Sequence, residues 1–436
     1  MPDRSYWVET LGCPKNQVDS DKLHGRLVAD GLTEATDPAA ADVVVVNTCA
    51  FIDEARQESI DTILELADGR RDGSRLVVTG CLAERYGDEL AAELPEVDAV
   101  VGFGHSLLEP APSTAAPGAS VPVLLRPRVG TASGAPAPDV PDFDLLNLPR
   151  PRSRAPWAYV KVAEGCDRAC GFCAIPSFRG PQRSRDAGSI LAEVDQLAAQ
   201  EIVLVAQDLA SYGRDQGVGE RGLVPLLAEV AARVERVRLL YLYPSDLTDG
   251  LVDAICATGV PYFDLSLQHV SRPLLRRMRR WGDGERFLDR IADIRRREPD
   301  AALRSNFIVG YPGETEDDHD ALLSFVEEAD LDWCGFFSYS REDGTYAADL
   351  DGAVPEGLVA ERLAELRDVQ DRTTERRRAA LVGRTVEVLV DEPGVGRTFR
   401  EAPEIDGVVH VDDGLPVGAV ATLTVTGSAG PDIDAA

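Results

Sequence analysis

Nowhere in this 436-residue chain does an apolar run approach the length that crosses a membrane. The start "MPDRSYWVET" also lacks the basic and apolar regions of a secretory leader, so a cytoplasmic protein with no membrane association is expected. Positive charge is scarce: 45 Lys and Arg face 75 Asp and Glu, a formal charge of -30. Phosphate binding rests on positive charge, so direct nucleic-acid binding is not expected as the main source of affinity, whereas a basic protein partner suits this balance. Internal repeats and coiled-coil heptads are missing too. What is present is ordinary for a globular protein, 44% hydrophobic and 28% charged, and long enough for two or three domains. The eight cysteines (Cys13, Cys49, Cys81, Cys166, Cys170, Cys173, Cys256 and Cys334) point in a reducing compartment to metal or catalytic thiols over disulfides.

The patterning predicts an α/β protein in three parts. In residues 1–104, "YWVETLGC", "DVVVVNTC" and "RLVVTGC" read as strands separated by helices near Lys15 to Asp30 and Asp53 to Ala67, a parallel α/β sheet. Each run ends at a cysteine. Parallel strands share one carboxyl edge, where ligands bind, so Cys13, Cys49 and Cys81 are expected to converge. Residues 105–156 are rich in Pro, Ala, Gly and Ser and read as a linker with a short strand at "VPVLL". Residues 157–380 hold six strand signals ("AYVKVA", "IVLVAQ", "VRLLYLY", "YFDLSLQ", "LRSNFIVG", "CGFFSYS") alternating with amphipathic segments, an open, partial (β/α)6 barrel with a connecting helix. Residues 381–436 read as a small antiparallel β-barrel, acidic in balance, with three arginines against ten Asp and Glu from Ala380 onward.

The chemistry is carried by "EGCDRACGFCAIP", where Cys166, Cys170 and Cys173 sit in a Cys-x3-Cys-x2-Cys loop after a strand. Soft thiolates favour iron–sulfur centres or zinc, and three in one loop suit three irons of a cubane cluster. The fourth iron is left open to chelate the amino and carboxylate groups of S-adenosylmethionine. A zinc knuckle would want a fourth ligand nearby, and none is in the loop. Cys13, Cys49 and Cys81 form a second set of three, so two clusters could divide radical generation from sulfur supply. Gln207 and Asp208 at a strand end are placed to touch a cofactor amino group, or to form a turn. Arg304 and the run Phe307 to Glu314, with Gly310, end another strand, where glycine allows close backbone approach. Gln268 and His269 could contact substrate or simply be hydrogen-bonded, and Cys256 and Cys334 read as core.

The three-cysteine loop resembles the radical S-adenosylmethionine superfamily, in which Phe172 would lie near the adenine. Across nearly the whole chain the motifs resemble the methylthiotransferase family. "LGCPKNQVDSDKL", "VNTCAFIDEARQESI" and "VTGCLAERY" look like its N-terminal domain, and "EGCDRACGFCAIPSFRGPQRSR" like its radical domain. "GRTFREAPEIDGVVHV" looks like its C-terminal TRAM domain. The wording is most similar to the branch acting on ribosomal protein uS12. The resemblance implies two 4Fe-4S clusters, on Cys13, Cys49 and Cys81 and on Cys166, Cys170 and Cys173, with S-adenosylmethionine at the second; Phe172, Gln207, Arg304 and Gly310 would touch that cofactor. It implies methylthiolation of the β-carbon of one aspartate in uS12, free or within the small subunit, with an electron donor such as flavodoxin or ferredoxin. That carbon bears an unactivated C–H bond, which acid–base chemistry does not open, so a cofactor radical is needed. The alternatives are a tRNA (adenosine) methylthiotransferase, which the acidic final module disfavours, and a non-catalytic electron-transfer or sensing iron–sulfur protein, which would have all irons ligated by protein.

Overall fold

Four consecutive valines, Val43 to Val46, have no polar side chain to offer water, and they form the middle of a strand buried on both faces. A computed structural model describes residues 4–103, 105, 107, 144–218 and 222–436. The first sheet is wholly parallel and runs in the order β2 (Thr33–Glu34), β1 (Ser5–Thr10), β3 (Val43–Thr48), β4 (Arg75–Gly80), β5 (Ala99–Val100). Helices α1 (Pro14–Ala29), α2 (Asp53–Gly69) and α3 (Cys81–Glu93) make the connections. Register brings Thr10 beside Asn47 and Thr48 beside Gly80, so the carboxyl ends of the three long strands are level.

The six predicted strands of the central part all form: β6 (Trp157–Lys161), β9 (Glu201–Val205), β10 (Arg236–Leu239), β11 (Tyr262–Gln268), β12 (Ala302–Val309) and β13 (Trp333–Ser338). A short antiparallel pair, β7 (Ala163–Glu164) and β8 (Arg183–Ser184), flanks the cysteine loop. The six are parallel and adjacent in chain order, but hydrogen bonding divides them into two sheets of three, joined by a single bridge between Leu242 and Leu265. At that seam Tyr241 adopts a left-handed backbone, φ 67°. Helices α4 (Ile175–Arg179), α5 (Ala187–Leu197), α6 (Leu223–Ala231), α7 (Asp249–Cys256), α8 (Arg272–Arg277), α9 (Gly284–Arg297) and α10 (Glu316–Ala329) follow the strands, and most pack their apolar stripes on the outer face.

The inner face is not filled by the strands alone. Tyr159, Val203, Val205, Leu240, Tyr262 and Trp333 are joined there by Val18 of α1 and Ala402 from the C-terminal module. That module, reached through α11 (Glu356–Ala379), is a closed barrel in the order β14 (Thr385–Glu392), β15 (Val395–Arg397), β16 (Val409–His410), β18 (Asp432–Ala435), β17 (Val420–Ala429). Its one departure from the expected antiparallel pairing is β16 with β18, which run parallel. The loop 398–406 enters the amino-terminal end of the larger barrel. There Tyr159 Oη donates to Pro403 O at 3.0 Å, Tyr262 Oη to Asp406 at 2.6 Å and Trp333 Nε1 to Arg400 O at 2.7 Å. Below them Glu201 is wholly buried and meets Arg236, Arg238 and Arg397.

In the stretch read as a linker, the strand expected at "VPVLL" lies outside the described residues. Residues 144–150 are packed: Leu145 and Leu146 are buried, Lys22 donates to Leu146 O, and Arg150 pairs with Asp21 at 2.7 Å and Glu193 at 2.9 Å. Composition concealed this because a few anchoring side chains are enough to pin a Pro-rich segment.

Candidate metal centres

Cys13, Cys49 and Cys81 all follow strand ends of the first sheet, and glycines let the turns close. Gly12 has φ 92°, and a Cβ there would lie 2.7 Å from that of Cys49. Gly80 has φ 94°, and a Cβ there would lie 2.4 Å from Asn47 Oδ1. Asn16, fully buried at the start of α1, ties the turns together: Nδ2 donates to Leu11 O and to Thr48 O, each at 2.9 Å, and Oδ1 faces the Cys81 thiol at 3.6 Å. The thiols feel one another. Burial, then the neighbouring Cys13 and Cys81, push the Cys49 thiol up to about 12, and burial raises Cys81. At Cys13 burial also acts upward, but Lys15, Arg179 and the backbone N–H groups of Asn16 and Lys15 outweigh it, and the net pull is down.

The second set sits on the loop after β7. Gly165, φ 76°, turns the chain so closely that a Cβ would fall 2.1 Å from Pro181 O. Cys166 N donates to Gly180 O at 3.1 Å and Gly171 N to Met278 O at 2.8 Å, which pins both halves of the loop. Donors also reach the sulfurs: Arg168 N lies 3.4 Å from Cys166 Sγ and Arg280 Nη1 3.2 Å from Cys170 Sγ. Burial pushes Cys166 to about 11 and Cys173 to about 12, with the neighbouring thiols adding to it. Thiols held protonated by burial and mutual repulsion are a donor set that a positively charged metal core deprotonates. Among the described residues no three His, Cys, Asp or Glu side chains gather as ligands of one ion.

Arg179, at the end of α4, ties the first set to Glu164, two residues before Cys166. Its Nη2 reaches Cys81 Sγ at 2.9 Å and Asn16 Oδ1 at 2.8 Å, and its Nη1 reaches Glu164 at 3.0 Å and Asp19 at 3.1 Å. Lys161 joins Asp19 and Glu164 to the same buried network.

Of the other predicted residues, Phe172 is partly buried against the outer core, beside its cysteines. Gln207 Nε2 donates to Glu164 at 2.6 Å, and Asp208 pairs with Arg168 at 2.6 Å. The remaining acceptors of this pair, Gln207 Oε1 and Asp208 Oδ1, are buried with no partner among the described residues, a pair of oxygens that fits the amino group of S-adenosylmethionine. Arg304 is placed differently: its guanidinium is tied to Asp264 at 3.4 Å and to Asp406 of the C-terminal module at 3.2 Å. Gly310, φ 81°, faces Val359 of α11, where a Cβ would lie 2.5 Å away. His269 is fully buried and accepts from Ser271 N at 3.1 Å, while Cys256 and Cys334 pack against the core. Sequence reasoning missed Asn16, Arg179 and Arg280. Asn16 and Arg179 lie inside quoted motifs, but only their spatial neighbours mark them.

Comparison with known proteins agrees with this architecture. The uncharacterized protein family UPF0004 matches residues 5–102, the radical SAM superfamily residues 160–326 and the TRAM domain residues 382–436. The ribosomal protein uS12 methylthiotransferase RimO of Kineococcus radiotolerans is 45% identical over 99% of this chain and 96% of its own length. The protein of the same name from Moorella thermoacetica is 44% identical over 96% of each chain. Among solved structures, the radical S-adenosylmethionine methyltransferase TsrM from Kitasatospora setae superimposes with a TM-score of 0.49 at 16% identity, covering 80% of this chain and 77% of that one. With two cysteine sets, an open six-stranded barrel and near-full-length identity of this order, the chain belongs to the ribosomal protein uS12 methylthiotransferase RimO family of radical SAM enzymes.

Proposed function

We propose that this protein transfers a methylthio group to the β-carbon of an aspartate in ribosomal protein uS12, using two 4Fe-4S clusters. One would be held by Cys13, Cys49 and Cys81 and the other by Cys166, Cys170 and Cys173. The observation that carries the reading is the convergence of the first set at one sheet edge, tied through Arg179 to Glu164, two residues before Cys166. When bound, the two clusters and S-adenosylmethionine supply the radical that opens the C–H bond and the sulfur and methyl that replace its hydrogen.

The residues of the chain orient and enclose. Gln207 and Asp208 would hold acceptor oxygens toward the cofactor's amino group, and Phe172 would lie near its adenine. Arg280 and the Arg168 N–H donate to cluster cysteines, which stabilises the thiolate form. The C-terminal loop closes the far end of the barrel, leaving the cysteine end as the entrance. All three arginines of that module are engaged within the protein, Arg384 and Arg400 with Asp300 and Arg397 with Asp391 and Glu201. That supports a basic protein substrate over a phosphate backbone. A flavodoxin or ferredoxin would supply the electron.

The test is mass spectrometry of uS12 and of tRNA from cells with and without the gene, and of uS12 treated with the reduced, reconstituted enzyme. A methylthio mass on one uS12 aspartate, absent without the gene, is expected. Its loss from tRNA instead would overturn the substrate.

A further inference from the structure

Lys15 follows Cys13 by two residues, in the first turn of α1, and is more than nine-tenths buried. Buried ammonium groups are ordinarily paired with carboxylates. This one has no ion pair or hydrogen bond with any described residue; its contact is the face of Tyr241, whose ring centroid lies 3.3 Å from Nζ. Asp264, a carboxylate whose charge is felt at Lys15, is spoken for, since it accepts from Tyr241 N at 2.9 Å and from Arg304 at 3.4 Å. The other charged groups around it are Cys13, Arg179 and Lys161.

The ring beneath it is held there at a cost. Tyr241 has φ 67°, a conformation that bulky side chains rarely adopt, at the seam between the two halves of the barrel. Two residues on, Tyr243 stacks with Arg280 at 4.3 Å and Arg168 at 3.9 Å, the same arginines that serve the 166/170/173 loop. The segment Tyr241 to Tyr243 therefore touches the surroundings of both cysteine sets, and Lys15 stands over its inner end.

We infer that Lys15 is the binding site for the side-chain carboxylate of the substrate aspartate, with Tyr241 as its floor. This deepens the uS12 reading and rests on it. A carboxylate is what an unpaired, desolvated ammonium lacks, and the β-carbon to be modified is bonded directly to that carboxylate. Gripping it fixes the reacting carbon between the two cysteine sets and rejects asparagine, which brings no compensating charge.

The experiment compares anaerobically reconstituted wild-type protein with Lys15→Met and Lys15→Arg. It measures binding to uS12 and to uS12 carrying asparagine at the modified position, together with iron content. Wild type is expected to bind the aspartate form about ten- to a hundredfold more tightly. Lys15→Met should lose that preference with iron content unchanged, and Lys15→Arg should keep part of it. Equal binding of the two forms by wild type overturns the inference without reference to any variant. So does a Lys15→Met protein that retains the preference, or one that loses iron and both affinities together, which would make Lys15 a counter-ion of the cluster. If wild type adds no methylthio mass to uS12, the uS12 reading falls and the carboxylate site falls with it.

Discussion

The guanidinium of Arg179 lies 2.9 Å from the sulfur of Cys81, and its other end lies 3.0 Å from the carboxylate of Glu164. One side chain from the radical barrel thus reaches into the cysteine site of the N-terminal sheet. Replacing it by methionine leaves Glu164 and Asp19 with one cation, Lys161, in place of two and takes the guanidinium donor from Cys81. Breaking one partner out of a buried pair costs about 3–5 kcal/mol. Arg179→Met should unfold at lower denaturant and, after reconstitution, bind about half the iron of wild type, read by iron analysis; full iron content would refute the link.

The two cysteine sets should separate genetically. Cys170→Ala is expected to abolish formation of 5'-deoxyadenosine from S-adenosylmethionine, because on the proposed reading it would remove a ligand of the cluster that binds the cofactor. Cys49→Ala should retain some of that cleavage and lose sulfur insertion entirely. Both products can be followed in one assay by chromatography and mass spectrometry of uS12, and a Cys49→Ala enzyme that still inserts sulfur would exclude the N-terminal set.

His269 gives a pH signature. Burial pulls its imidazole down to about 4 from an ordinary 6.5, and its Nε2 is buried without a partner among the described residues. The unfolded chain therefore takes up the proton first. The stability of the neutral ring is complete above about pH 6.5 and is lost as pH falls toward 4, a contribution of about 3 kcal/mol. Denaturant midpoints for wild type and His269→Gln, measured across this window, should converge toward acid pH; parallel curves would contradict the assignment.

How much of this was legible beforehand depends on whether the information was local. "DVVVVNTC" announces a buried strand ending at a thiol, and three such strand ends in one chain announce convergence, since parallel strands share an edge. The six strand signals of the barrel were legible for the same reason. The partners of Arg304 were not: it meets Asp406 from 102 residues away, and no period or turn rule couples residues at that separation. Arg179 was equally hidden, because its role comes from Cys81 and Asn16 in another part of the chain. Nor did the Pro- and Ala-rich stretch disclose that Leu145 and Leu146 would be buried, because composition averages over the residues that anchor.

Glu201 is the keystone of the lower junction. Burial opposes its ionisation, but Arg238, Arg397 and Arg236 hold its carboxyl well below the usual range. Its contribution is therefore present above the ordinary glutamate value of about 4.3 and is lost only in stronger acid. Glu201→Gln leaves three guanidiniums facing one another and should destabilise the protein by about 3–5 kcal/mol. Calorimetry should show a lower transition, and limited proteolysis should cut earlier near residue 400; an unchanged transition would argue against the junction.

The loop 398–406 seals the base of the six-stranded barrel with contacts to Tyr159, Tyr262 and Trp333. An open half-barrel would otherwise be a tube, with a draught of water and dissolved oxygen through it. Stoppered from below, it is shut to solvent at that end, and whatever reacts inside comes and goes away from this module. The small C-terminal module is thus part of the reaction vessel, and trimming it away would leave an apparatus that leaks.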